Sequence, residues 1–437
     1  MEFPVWYVPY ITAPMLIPLV AVPHVIVAQF AVGVGIVLAD LVRRARRDHN
    51  AELLGYLRGL ARFFILITVV FGAVTGVGIW WTIGLTSPET TSALIHVFVF
   101  GWGAEWAAFL VEIAAAFAFY YLWDRVTPRE HVILGWIYAG AAWVSLVLIT
   151  GITSFMLTSG SWTPAQKFFV AFFNPSFVPQ VLLRTGGSIV LAALGITFHA
   201  SFRSDATDLK DRVVRSVSQW SVAGMALIAL GAAWYLLSMP DHAQLNLMRA
   251  PILLIMTALN FAVTLLVIAA LAWGLVSGAR WITPPSALLL LLAGAVATTT
   301  GEFVREGARK PYRIENYLIA PGVLTSEVPK LQREGFITHS RWLNFALRRD
   351  AARAEASNQE NLVRRGEGIF QYHCSSCHAL FGYNGIKPIL QPWTPELIRD
   401  AVRNLHRTNP AMPPWLGTET ERAALTAYLV QLNQEDR

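Results

Sequence analysis

The chain has 437 residues, 55% of them apolar and only 14% charged, with a formal net charge of +6. A soluble protein of this size carries about 25% charged residues, so a largely water-exposed fold is excluded. The positive charge sits in short loops between apolar runs, a pattern that orients a chain in a bilayer and argues against nucleic-acid binding.

Crossing a bilayer takes about 20 apolar residues. Runs of that kind fall near 14–42, 60–84, 92–123, 131–157, 179–201, 218–238, 250–276 and 284–301. They predict an all-α, polytopic transmembrane bundle of eight spans over residues 1–310. The first run is long and lacks a charged leader, so it reads as an uncleaved span rather than a signal peptide. The abundant Trp and Phe suit interface belts and packing around flat cofactors alike.

Arg43, Arg44, Arg46 and Arg47 follow the first run, and Arg58 and Arg62 precede the second. Arg125, Arg129, Arg203, Lys210, Arg212, Arg215 and Arg280 come next on the same side. The opposite loops, around 85–91, 158–178 and 239–248, hold only Lys167. The positive-inside rule then puts the N-terminus outside the cytoplasm, and eight spans return the C-terminus to that face. The expected location is the bacterial inner membrane, with the C-terminal residues in the periplasm.

Ionisable residues inside spans are costly and mark functional sites by default. The candidates are His24, His96, Glu105, Glu112, Arg184, Arg249, Glu302, Arg305, Glu306 and Arg309. Taken singly, each could simply bond a backbone carbonyl. Several of them in one half of the bundle favour a cofactor site, and Glu105 and Glu112, seven apart, share a helix face.

Residues 311–358 read as an extramembrane connector with some helix, including RWLNFALRRDAARAEA. The final segment, 359–437, holds both cysteines of the chain in the string HCSSCH. Cys-x-x-Cys-His is a haem c attachment signature, in which two thiols bind the haem vinyl groups and the adjacent His ligates iron. A bare CxxC also serves redox exchange or zinc. Here the surroundings favour haem: Gly366, Gly368 and Phe370 precede the motif, and NPAMPPW offers Met412 as a second axial ligand. The last helix, ETERAALTAYLVQL, presents Leu425, Tyr428 and Leu429 to the first. Residues 360–432 thus resemble a class I cytochrome c domain. That resemblance implies one covalent haem c on Cys374 and Cys377, ligated by His378 and Met412, with His373 and His406 as rival ligands. His/Met ligation implies a relatively high potential.

The membrane half also resembles a known family. VPHVIVAQFAVGVGI is similar to the first helix of subunit I of the cytochrome bd quinol oxidases, whose His ligates a high-spin haem; it maps to His24. RFFILITVVFGAVTGVGIWW resembles the second helix. GWGAEWAAFLVEIAAAFAFYYLWDRV resembles the third, with Glu112 on a family carboxylate; the other family Glu aligns with Ala104, beside Glu105. GEFVREGARKPYRIENYLIAPG resembles the end of the eighth helix, where Glu306 stands for the Glu serving the high-spin haem pair and Arg309 for its Arg. The resemblance spans roughly residues 14–322.

Three departures stand out. The family holds a low-spin haem b between a His on the fifth helix and a Met on the seventh. Those positions here read Arg184 and Pro251, while Arg249 matches and Met248 lies nearly a helical turn out of register. The long quinol loop is reduced to SMPDHAQLNL, and the ninth helix has no counterpart.

The combination predicts a respiratory membrane oxidoreductase, part of a terminal oxidase-like complex, with its electron input replaced. Electrons would pass between a periplasmic donor, haem c and haem b in the bundle, with oxygen the favoured acceptor. His24, Glu105, Glu112 and Glu306 would serve one or two bundle haems and carry protons. Two other readings stand beside it: a membrane anchor whose one redox centre is haem c, and a quinone-linked subunit of a larger complex. Expected partners are a second membrane subunit, a periplasmic electron carrier and the bilayer, with no nucleic acid.

Overall fold

The computed structural model describes residues 6–12, 15–166, 168–203, 207–340, 343, 347, 358–382 and 384–434. Lys167 and most of RWLNFALRRDAARAEA lie outside the described residues. Among the described residues, eight helices are long and apolar enough to cross a membrane, as the sequence predicts. In order they are Leu16–Arg47, Ala51–Thr86, Val99–Tyr121, Pro128–Ser154, Phe177–Ser201, Asp208–Leu237, Pro251–Ser277 and Pro284–Arg309; they are called spans 1 to 8 below.

Local chemistry explains several span ends. Span 4 opens on a capping box, in which Thr127 accepts the Glu130 amide and Glu130 reaches back to the Thr127 amide. Pro251 opens span 7, where its missing N–H leaves no hydrogen bond unmade. The third apolar run does not form one helix. At Phe98 the backbone turns to φ −117°, ψ 28°, separating a short helix, Pro88–Val97, from span 3. His96 therefore lies outside span 3, exposed, with Nδ1 2.7 Å from the Ser92 carbonyl oxygen. Arg249 likewise ends a short helix, Asp241–Arg249, before span 7 and is exposed.

The chain divides into two compact units. One comprises residues 21–77 and 97–306, and the other comprises 1–20, 78–96 and 307–437. In the first unit, small residues let helix backbones approach closely, as membrane bundles require. A Cβ at Gly33 of span 1 would stand 1.9 Å from the Ser188 carbonyl oxygen of span 5. Phe64, Leu38, Leu57 and Ile196 fill the core between spans. Span 2 carries one π turn, Leu66–Phe71, between two α-helical segments.

In the second unit, part of the connector folds as a small sheet rather than helix. Strands β1 (Tyr312–Ile314), β2 (Leu318–Ile319) and β3 (Val323–Leu324) pair antiparallel in sequence order. Asn316, at φ 55°, makes the first turn, a conformation that Asn tolerates well. Further on, helix Asn358–Ile369 continues into a second π turn, Phe370–Cys374, and packs across the last helix, Glu419–Gln434. A Cβ at Gly366 would lie 2.1 Å from the Ala424 carbonyl oxygen, so glycine sets the closeness of that crossing. Phe370, Leu425, Tyr428 and Leu429 are buried there, as the sequence pattern predicts.

The connector contributes to the same core through Phe336 and Leu343. Glu421, 6% exposed, accepts backbone amides from Phe336 at 3.3 Å, Ile337 at 2.8 Å and Thr418 at 2.9 Å. One buried carboxylate thus caps two segments at once.

Candidate haem sites

The CSSCH segment is a tight turn in which the amides of Cys377 and His378 both donate to the Cys374 carbonyl, at 2.9 and 2.8 Å. His378 Nδ1 lies 3.2 Å from the Asn384 carbonyl oxygen. A carbonyl only accepts, so Nδ1 carries the proton and Nε2 keeps a lone pair suited to iron. Asn384 also donates from Nδ2 to the Cys377 carbonyl at 2.6 Å and adopts φ 54°. Sequence reasoning missed Asn384; the Asn-Gly dipeptide signals its turn but not its hydrogen bonds.

Burial dominates the electrostatics of this region. It pushes the Cys374 thiol up to about 12, with Cys377 adding to the rise. It also lowers the His378 imidazole, helped by the Lys310 charge and opposed by the Asn384 carbonyl. A neutral imidazole is the form that ligates metal. His373 is half-buried beside the Phe336 ring, 4.0 Å between centroids, and desolvation pushes it down to about 3. Its buried Nε2 has no hydrogen-bond partner among the described residues. His406 is exposed, with Nδ1 2.9 Å from the Met412 carbonyl oxygen, and so braces the Met412 loop through its backbone.

In the bundle, His24 of span 1 faces span 2. Its Nδ1 lies 3.1 Å from the Gly72 carbonyl oxygen and 3.0 Å from Thr75 Oγ1. Thr75 spends its own proton on the Phe71 carbonyl at 2.7 Å. Both neighbours of Nδ1 are then acceptors, which again leaves Nε2 with the lone pair. Gly72 directly follows the π turn, a feature frequent at functional sites. A Cβ at Gly76 would come within 3.2 Å of His24 Cε1, so the two helices close tightly on the ring.

Glu105 and Glu112 are both on span 3 and half-buried. Glu105 accepts from Ser145 Oγ of span 4 at 2.9 Å, and Glu112 makes no hydrogen bond among the described residues. Arg184 of span 5 and Arg305 of span 8 converge on Glu302, at 3.1 and 2.8 Å. Glu306 follows Glu302 by one helical turn on span 8. His24, Glu105 and Glu302 share no hydrogen bond with one another. In the second unit, Arg309 is 3% exposed and donates from Nη1 to the Arg313 carbonyl at 3.0 Å.

These positions can be tested against the haems the sequence implies. His378 and His24 fit, since each offers a neutral ring nitrogen while the other is tied down. The low-spin haem b site does not fit. Arg184 stands where a His would ligate and is held by Glu302, and Pro251 opens a helix where a Met would ligate. Met248, the nearest thioether, is 68% exposed.

The fold and these positions describe a membrane protein of the haem-binding, respiratory electron-transfer class. The family model for cytochrome bd terminal oxidase subunit I matches residues 15–243, over half of the chain, and the protein belongs to that family. The model for cytochrome c oxidase, cbb3-type, subunit III matches residues 361–429. Among solved structures, the bd oxidase from Geobacillus thermodenitrificans shares the fold, with a TM-score of 0.58 at 18% identity. That match covers 69% of this chain and 87% of that one. No curated protein matches the chain.

Proposed function

We propose that the protein is the haem-bearing subunit of a terminal oxidase-like complex in the bacterial inner membrane. Electrons from a periplasmic carrier enter at a covalent haem c and pass to haem b in the bundle, with oxygen as the acceptor. Cys374 and Cys377 would hold haem c, and His378 and Met412 would supply its iron ligands. His24 ligates the bundle haem. Glu306 serves a second iron or a propionate, Arg309 balances charge, and Glu105 and Glu112 move protons. Haem iron supplies one-electron transfer at both sites and, where a coordination position stays open, oxygen binding. A second membrane subunit completes the complex.

The observation that carries this reading is the clamping of His24 Nδ1 by two acceptors, Gly72 and Thr75. Metal-ligating histidines almost always have the other ring nitrogen tied down in this way, which leaves the His24 Nε2 lone pair available to iron. The Arg184–Glu302–Arg305 cluster supports the altered electron input, because it occupies a ligand position of the family's low-spin haem.

Pyridine-adduct spectra of the purified protein test the proposal directly. Haem c together with acid-acetone-extractable haem b is the expected result. Haem c alone would replace it with the anchor reading, which the same ion cluster favours. Topology is tested by reporters, expected active only outside the cytoplasm after Arg437 and only inside at Arg46. The opposite pattern would overturn the periplasmic placement of haem c.

A further inference from the structure

The proposed haem c attachment loop is gripped from two sides by other segments of the second unit. On one side, the Pro9 carbonyl accepts the amides of both Leu380 and Phe381, at 2.9 and 3.0 Å. The Tyr10 ring stacks on Phe381, with centroids 5.6 Å apart. Gly382 sits at φ +76°, and a Cβ there would stand 2.8 Å from the Tyr10 carbonyl oxygen. The same strap is tied at its other end, where the Trp6 amide donates to the Leu85 carbonyl of span 2 at 3.1 Å.

On the other side, Arg313 follows span 8 by four residues, on β1, and is 5% exposed. Its Nη2 donates to the carbonyl of Ser376, which lies between the two cysteines, at 3.4 Å. Arg309 supports it from the last turn of span 8 by donating to the Arg313 carbonyl. The sheet carrying Arg313 is itself seated on the start of helix Pro88–Val97. A Cβ at Gly322 would meet the Glu89 side chain at 3.0 Å.

Burying a guanidinium is costly unless its bonds are satisfied. Here one of its bonds goes to a backbone carbonyl inside the haem attachment motif, which couples the motif to the end of a span. We propose that residues 6–12 and Arg313 form an intramolecular dock for the loop Cys374–Gly382. The dock ties the haem c attachment loop to the last residues of spans 2 and 8, all within the same compact unit. Arg313 and the strap are positioning residues; they touch neither iron nor acceptor. The dock stands whether or not the bundle holds haem.

The experiment uses the full chain in nanodiscs. Hydrogen exchange should show the Leu380 and Phe381 amides protected in the wild type. Tyr10→Ala and Gly382→Ala should each speed their exchange by up to about tenfold, the loss of one net hydrogen bond. The Cys377 and His378 amides, which donate to the Cys374 carbonyl, should be protected in the wild type as well. Arg313→Gln should speed exchange of those two amides, and Arg313→Lys should restore part of their protection. Unprotected Leu380 and Phe381 amides in the wild type, or exchange unchanged in both strap variants, would overturn the dock. So would Cys377 and His378 exchange left unchanged by Arg313→Gln. A preparation without haem b would instead refute the proposed function, and the exchange measurement would still decide the dock.

Discussion

His378 and His24 each give Nδ1 to a backbone carbonyl, Asn384 at 3.2 Å in one case and Gly72 at 3.1 Å in the other. Each also lies close to one of the π turns, Phe370–Cys374 and Leu66–Phe71. The means differ. His378 finds its acceptor six residues along the same loop, so a short stretch of chain fixes the ring by itself. His24 finds its acceptors 48 and 51 residues away on another span, so the ring is fixed only once two helices have packed. On the proposed reading, one site is made by local backbone geometry and covalent attachment, the other by tertiary assembly. The second should be the more easily lost.

Breaking the covalent site gives the largest expected effect. Replacing Cys374 and Cys377 with Ser should abolish haem staining of the denatured chain while leaving extractable haem b in place. Loss of both haems together would show that the sites are not independent. His24→Ala should come next, removing non-covalent haem b with haem c and membrane insertion retained, as read from the ratio of pyridine-adduct bands. Retained haem b would take His24 out of the ligand set.

Two milder changes sharpen the comparison. Met412→Ala should lower the haem c potential and remove the weak sulfur-to-iron absorption of the oxidised form. An unchanged band would hand the axial position to His373 or His406. Thr75→Val should keep the size of the side chain but remove one acceptor from His24 Nδ1. Loss of a supporting partner of this kind costs about tenfold in affinity, to be measured as faster haem b transfer to a scavenging apoprotein. A comparable change at His378 is not available by side-chain substitution, because its acceptor is the Asn384 main chain.

The same contrast explains what the sequence made legible. Eight spans and the CSSCH motif depend on composition and near-neighbour spacing, and both are plain in the string of residues. The crossing of Gly366 with Ala424 was foreshadowed by glycine and apolar spacing, because two helices of one small domain carry it. The break at Phe98 was not legible, since the apolar run continues through it. Nor was the partner of Arg184: the sequence marks a missing histidine, but the ion pair with Glu302 spans 118 residues. The sheet at 312–324 escaped because its strands are two or three residues long, too short for alternation to register.

Glu421 bears on how portable the cytochrome c module is. Fusion joints between modules usually fall where few contacts cross. Here a carboxylate near the start of the last helix is spent on main-chain amides at Phe336 and Ile337, well upstream of the haem motif. Cutting the gene at residue 359 would strip those donors away and leave a buried negative charge with only Thr418 to hold it. It would also vacate the place of Phe336 in the core. Transplanting this haem carrier to another membrane protein therefore means moving the connector with it, from Gly335 or earlier, so the unit of exchange is longer than the cytochrome motif alone suggests.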